Sequence, residues 1–135
     1  MFEHTTKLRV RYGETDQMGY MYYGNYAEFY EVGRVEMLRS LGMTYRSMEE
    51  SGVMMPVLEM KCKYLKPARY DEEIRIRVMM DKMPGVKIHF RYELYNEQDE
   101  LIHIGETLLV FVNMQTTRPC MPPTDFMERL KPFFE

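Results

Sequence analysis

The chain has 135 residues and a mass of 16.3 kDa, so residues 1–135 are expected to form a single domain with no room for a second core. Its 45% hydrophobic and 29% charged residues exclude a disordered chain. A net charge of -3 and a pI near 5.7 exclude general attraction to nucleic acid or to an anionic membrane.

Two cysteines, Cys62 and Cys120, are too few for a disulfide framework and point to a reduced cytoplasm. The opening MFEHTTKLRV lacks the basic-then-apolar layout of a signal peptide, and no apolar run is long enough to span a bilayer. Fifteen Met and 11 Tyr accompany no Trp. Met fills irregular apolar space, so this bias fits either a Met-rich core or a plastic acyl pocket or subunit interface.

In chain order, Thr5 to Tyr12 alternate, with Leu8, Val10 and Tyr12 on one side and Lys7, Arg9 and Arg11 on the other. This predicts a half-buried strand. Gly13 to Tyr22 has no clean period and reads as a loop. From Tyr26 the spacing turns helical, with Tyr26, Phe29, Tyr30, Gly33, Met37 and Leu41 along one stripe. Asn25 with Glu28 resembles a capping box, and Gly42 supplies the stop. Gly33 costs a helix about 1 kcal/mol relative to Ala, which places it where a sheet presses closely. Thr44 to Glu50 predicts a second, short helical turn ending at Gly52.

Strands follow. Val53 to Leu65 reads as one, with Pro56 marking an irregular or edge position. After a turn at Pro67 to Asp71 comes Glu73 to Asp81. Pro84-Gly85 then turns into the alternating Val86 to Leu94. Asn96 to Glu100 turns again into a long strand, Leu101 to Asn113. A tail helix is predicted over Phe126 to Phe133, capped by Thr124 or Asp125 and limited by Pro132. Short turns demand antiparallel neighbours, and a long helix must bury its stripe against the sheet. The fold class is therefore α+β: a five-stranded antiparallel sheet wrapped around one long helix, with a short C-terminal helix. Apolar surfaces and unpaired edges favour association of subunits.

The chemistry concentrates between Arg11 and Arg39. One carboxylate, Asp16, stands in the loop shortly before the helix begins. A helix N-terminus offers unpaired N–H groups and partial positive charge to a developing oxyanion. An ionised carboxylate beside it can act as nucleophile or general base. These are the parts needed to hydrolyse an activated acyl group. Glu14 is expected to be solvated or paired with a nearby arginine. Glu31 and Arg34 are expected to form a surface ion pair, or, with Glu31 turned inward, to supply a second acid. Lys61, Lys63, Lys66 and Arg69 gather positive charge around one strand and turn. His4, His89 and His103 lie on separate elements without metal-ligand spacing, and no metal is expected. No serine has a nucleophile-elbow pattern around it. Cys62 reads as a small buried apolar residue.

The run RYGETDQMGYMYYGNYAEFYEVGRVEMLR followed by four strands resembles the hotdog-fold acyl-CoA thioesterases of the 4-hydroxybenzoyl-CoA thioesterase-like superfamily, especially the small bacterial, Tol–Pal-associated branch. The resemblance implies a hotdog fold and a catalytic aspartate at Asp16. By the same likeness, the backbone N–H of Tyr23, with Gly24 as the other candidate, would polarise the thioester carbonyl. Gly19 would let the backbone pass close to the acyl carbon, and Asn25-Tyr26 would match the pair that begins the helix. Tyr64 to Arg69 matches a turn near which the family binds the pantetheine and phosphates of CoA, with Lys66 and Arg69 the cations for them. In the Tol–Pal-associated branch the Tyr23 position is often histidine, which weakens transfer of substrate preference. The implied protein is a homodimer or homotetramer needing no cofactor beyond the CoA of its substrate. Its site would lie between subunits, with Met54, Met55 and Val57 as walls given by the partner. An acyl-carrier-protein thioesterase is the alternative enzyme, and a non-catalytic acyl-CoA-binding protein the alternative of another class.

Overall fold

A computed structural model describes residues 1–135. Five strands form one antiparallel sheet: β1 (Phe2–Arg9), β3 (Val57–Tyr64), β4 (Glu73–Met80), β5 (Lys87–Tyr95) and β6 (Leu101–Val110), in the order β1-β4-β5-β6-β3. Two short strands, β2 (Val53–Met54) and β7 (Val112–Asn113), pair separately. The long helix α1 spans Tyr26–Ser40, the short α2 Tyr45–Glu50 and the tail helix α3 Thr124–Leu130. This is the expected α+β architecture of a sheet wrapped around a helix.

Helix α1 buries Tyr26, Phe29, Tyr30, Gly33, Arg34, Met37 and Leu38 against the sheet. Its contact with β4 is close because position 33 carries no side chain. A Cβ there would stand 2.6 Å from Val78 Cγ2 and 3.1 Å from Ile76 Cγ2. Facing α1, the alternate residues Ile74, Ile76 and Val78 of β4 and Ile88, Phe90, Tyr92 and Leu94 of β5 are all buried. Met37, Met43, Met48 and Met80 belong to this core, whereas Met60, Met114 and Met121 are exposed.

Several expectations change. Strand β1 ends at Arg9, because Val10 bonds instead to the loop before β4, its N–H to Glu72 O at 2.9 Å and its carbonyl to Asp71 N at 2.9 Å. Tyr12, expected on the apolar side of that strand, lies in a 3-10 turn and is 78% exposed. The predicted strand Val53 to Leu65 is two strands in different sheets, divided at Met55-Pro56, where proline has no N–H for a ladder. The capping box at Asn25 does not form; the Asn25 amide donates instead to Glu14 O at 2.8 Å. The tail helix starts at Thr124 without a side-chain cap and passes at Lys131 into a 3-10 turn.

Strand order departs from the simple reading in one consequential place. Strand β3 pairs with β6 at one edge, while β4 lies next to β1 on the far side. Residues 65–72 must therefore cross the sheet, and the crossing segment braces the loop that carries Asp16.

Candidate active site

The loop begins with a buried acid. Glu14 Oε1 accepts the Arg11 N–H at 2.7 Å, and Arg11 Nη2 stands 3.3 Å from Glu14 Oε2. Pairing with an arginine was expected; burial was not, since Glu14 is only 6% exposed. Its backbone carbonyl accepts from Tyr22 N at 2.7 Å and from the Asn25 amide at 2.8 Å. One residue thus ties the end of the β1 connection to the start of α1.

Asp16 is half-buried and fixed at both backbone and side chain. Its N–H donates to Tyr20 O at 2.8 Å, and its carbonyl accepts Gly19 N at 3.0 Å. Oδ1 accepts the N–H groups of Met18 at 2.9 Å and Tyr20 at 3.2 Å, leaving Oδ2 without a hydrogen-bond partner. The turn closes because Gly19 adopts a φ of 80°, a conformation that glycine takes without strain. From below, Met21 N donates to Ala68 O at 2.7 Å, and Tyr20 pairs with Arg69 in an isolated antiparallel bridge. Ala68 is fully buried there.

The helix entrance supplies the donors. A 3-10 turn over Tyr23–Asn25 runs directly into α1. Around it the Tyr22 and Asn25 N–H groups are bonded, to Glu14 O and Tyr22 O, while those of Tyr23 and Gly24 have no backbone or side-chain acceptor. Such orphan donors are what a helix start leaves. Tyr64, at the end of β3, donates its hydroxyl to Tyr23 O at 3.2 Å. Burial, helped by the neighbouring Cys62 thiol, pushes the Tyr64 phenol up to about 12, so it keeps its proton at neutral pH.

Asp16 lines two depressions. The first, about 270 Å³, is mostly apolar, with Tyr23, Tyr26, Tyr64, Met21 and Leu65 among its walls and Lys66 at its rim. The second, about 770 Å³ and more polar, lies on the other side of the loop, between Tyr12, Thr15, Tyr22 and Asn25. Asp16, Tyr23 and Lys66 therefore share one cleft. Arg69 does not line it, but its guanidinium lies 5.1 Å from the centre of the Tyr20 ring, which does. Lys61 and Lys63 bound a separate depression on the outer face of the sheet with Arg91 and Glu106. Met54, Met55 and Val57 are not in the Asp16 cleft of the same chain. They sit at the opposite end of β3 from Tyr64, about 20 Å away at the rise of an extended strand.

Other side chains correct the reading from sequence. Arg34 is not in a surface pair with Glu31. It is buried and donates to Tyr92 Oη at 2.9 Å and Tyr45 Oη at 3.2 Å, while Glu31 faces solvent. His103 is fully buried beneath the cleft, its ring stacked on Tyr26 at 4.2 Å and edge-on to Tyr64 at 4.8 Å. Its Nε2 is hydrogen-bonded to the Tyr30 hydroxyl, which also reaches Cys62 Sγ at 3.3 Å. Desolvation drops the imidazole to about 4, which keeps it neutral. The sequence placed His103 on a strand, and only the pairing Tyr64↔His103 reveals that it backs the cleft. No three His, Cys, Asp or Glu side chains converge as a metal site.

A five-stranded antiparallel sheet wrapped around one long helix is the architecture of the hotdog fold. The family model of the thioesterase-like superfamily matches residues 10–130, and the chain belongs to that superfamily. YneP of Bacillus subtilis, assigned by name to the acyl-CoA thioesterases, is 35% identical over 118 residues, 86% of each chain. The acyl-CoA thioester hydrolase YbgC of Escherichia coli is 30% identical over 124 residues, 92% of each chain. Among solved structures, a DHNA-CoA thioesterase from Staphylococcus aureus superposes with a TM-score of 0.93 at 32% identity, covering 98% of this chain and 91% of that one.

Proposed function

We propose that the protein hydrolyses acyl-CoA thioesters to free acid and CoA in the cytoplasm. The observation that carries this reading is the cleft itself, which is lined both by Asp16, a carboxylate with one free oxygen, and by Tyr23, whose N–H, like that of Gly24 beside it, is unpaired at the helix entrance. The thioester carbonyl would accept from Tyr23 N–H, with Gly24 as the second donor. Asp16 would either attack the acyl carbon or take a proton from the water that does. In the general-base route the C–S bond breaks as Asp16 passes that proton to the departing CoA thiolate. In the nucleophilic route the thiolate leaves with a solvent proton, and water then hydrolyses the acyl–Asp16 anhydride to free acid and the restored carboxylate. One well-placed N–H at the oxyanion lowers such a barrier by about 2.7–4 kcal/mol. Lys66 and Arg69 would face the phosphates.

A second copy of the chain would complete the site. Strand β3 is an open edge with Val57, Leu58, Met60 and Tyr64 exposed along it, and such edges pair readily. The partner's Met54, Met55 and Val57 would then enclose the acyl group. An acyl carrier protein is the rival substrate, favoured by the same two cations, Lys66 at the rim and Arg69 behind Tyr20, since carrier proteins are acidic. No helix is long and apolar enough to cross a membrane.

Release of free thiol from short, long and aromatic acyl-CoAs tests the reading, with the wild type beside Asp16→Asn. The expected result is turnover by the wild type and a loss of about a thousandfold or more in the folded variant. Equal activity of the two would remove Asp16 from the mechanism. Turnover of acyl-carrier-protein alone would favour the rival substrate.

A further inference from the structure

Of the two cations proposed for phosphate, Arg69 has no carboxylate within ion-pair distance, whereas Lys66 is already engaged. Its Nζ is paired with Glu100 Oε2, and Lys66 lines the same cleft as Asp16. An exposed lysine pair is ordinarily loose, because two long side chains must be ordered to keep it. Here the anion is held by more than the lysine. Glu100 Oε1 accepts from the Asn96 amide at 3.0 Å. Asn96 is buried, and its Oδ1 takes the N–H groups of Gln98 and Glu100 at 3.0 Å each. Its own N–H donates to Glu100 O at 3.1 Å, closing the β5–β6 turn. On the other side, Lys66 N donates to Ile102 O at 3.0 Å, so both backbones are anchored to the start of β6. The Lys66–Glu100 contact keeps the Glu100 carboxyl below its usual range, with Asn96 adding to the effect.

We propose that Glu100 is a specificity-determining residue: an internal anion that occupies Lys66 in the free protein and competes with the phosphates of the substrate for it. This rests on the acyl-CoA reading above. A phosphate reaching Lys66 must displace a fixed carboxylate or bind beside it, and either lowers the attraction that the lysine would offer if free. A thioester without phosphates gains nothing from the lysine and is indifferent to Glu100.

The test uses binding, so it does not depend on turnover. CoA and pantetheine are titrated by calorimetry into the wild type, Glu100→Gln, Lys66→Met and the double variant, each checked for its folded circular dichroism. The glutamine keeps the shape and the acceptor for Asn96 while removing the charge. Expected is CoA binding about fivefold tighter in Glu100→Gln at low salt, the size of one exposed charge contact, with the gain fading as salt rises. The ratio of CoA to pantetheine affinity should rise by the same factor, and in the Lys66→Met background the substitution should add nothing. CoA binding that is unchanged, weakened or absent in Glu100→Gln overturns the proposal, as does an equal gain without Lys66. Tighter CoA binding with no hydrolysis of any acyl-CoA would sustain Glu100's role and sink the thioesterase reading. Hydrolysis with no change in CoA affinity would do the reverse.

Discussion

The Tyr64 hydroxyl and the Tyr23 carbonyl, 41 residues apart in sequence, meet at 3.2 Å across the mouth of the cleft. The contact joins the end of an edge strand to the turn that presents two unpaired N–H groups. It therefore bears on the donors and not on the acid.

Tyr64→Phe should lower kcat about three- to tenfold, the effect of losing one neutral hydrogen bond that steadies the turn. KM should move less, since the phenyl ring and its packing on Tyr26 and His103 remain. Steady-state kinetics decide the matter. An unchanged kcat would mean that the turn holds its geometry through the Glu14 and Asn25 contacts alone.

His103 makes stability depend on acidity. Its folded value of about 4 lies below the 6.5 of an exposed imidazole, so the unfolded chain binds the extra proton first. The associated stability is fully present above pH 6.5 and is lost as pH falls through 6.5 toward 4. It amounts to about 3 kcal/mol at most. Urea midpoints of wild type and His103→Gln between pH 7 and 4.5 should converge on acidification. Parallel curves would show that His103 is not the group responsible.

Gly33→Ala sets helix propensity against packing. Alanine favours a helix by about 1 kcal/mol. Yet its methyl would enter the 2.6 Å gap before Val78, and overpacking of that kind costs about 1–3 kcal/mol. A net loss of stability is expected in chemical denaturation, and a gain would show that α1 can lift from β4 cheaply.

Arg34 is a buried cation held by two phenols and no carboxylate. Arg34→Met keeps the apolar stem but leaves the Tyr45 and Tyr92 hydroxyls without that donor, at a cost of about 1–3 kcal/mol. Arg34→Lys should recover only part, because an ammonium cannot reproduce the guanidinium fork. Thermal unfolding of both variants tests this, and full recovery by lysine would show that charge alone matters.

Much of the frame was legible from residue order. Alternation marked β4 and β5 within a residue, and the stripe Tyr26, Phe29, Tyr30, Gly33 and Met37 named the buried face of α1, whereas the single strand read over Leu101 to Asn113 is β6, ending at Val110, and the separate β7 that pairs with β2. Arg34 was misread because a guanidinium beside Glu31 looks like a surface pair until α2 and β5 bring Tyr45 and Tyr92 to it. Asn25 was misread because a capping side chain can serve a helix or a neighbouring carbonyl, and spacing does not choose.

Local periodicity, turn residues and the lone acid before a helix start are properties of consecutive residues, so the sequence alone determined the element types and singled out Asp16. Strand order is not encoded that way. Only the tertiary structure decided that residues 65–72 cross the sheet to brace the Asp16 loop. It also set Tyr64 opposite His103 beneath the cleft and Lys66 against Glu100 at the rim. Each of these contacts joins residues far apart along the chain, and their energies depend on which strands become neighbours when the core closes.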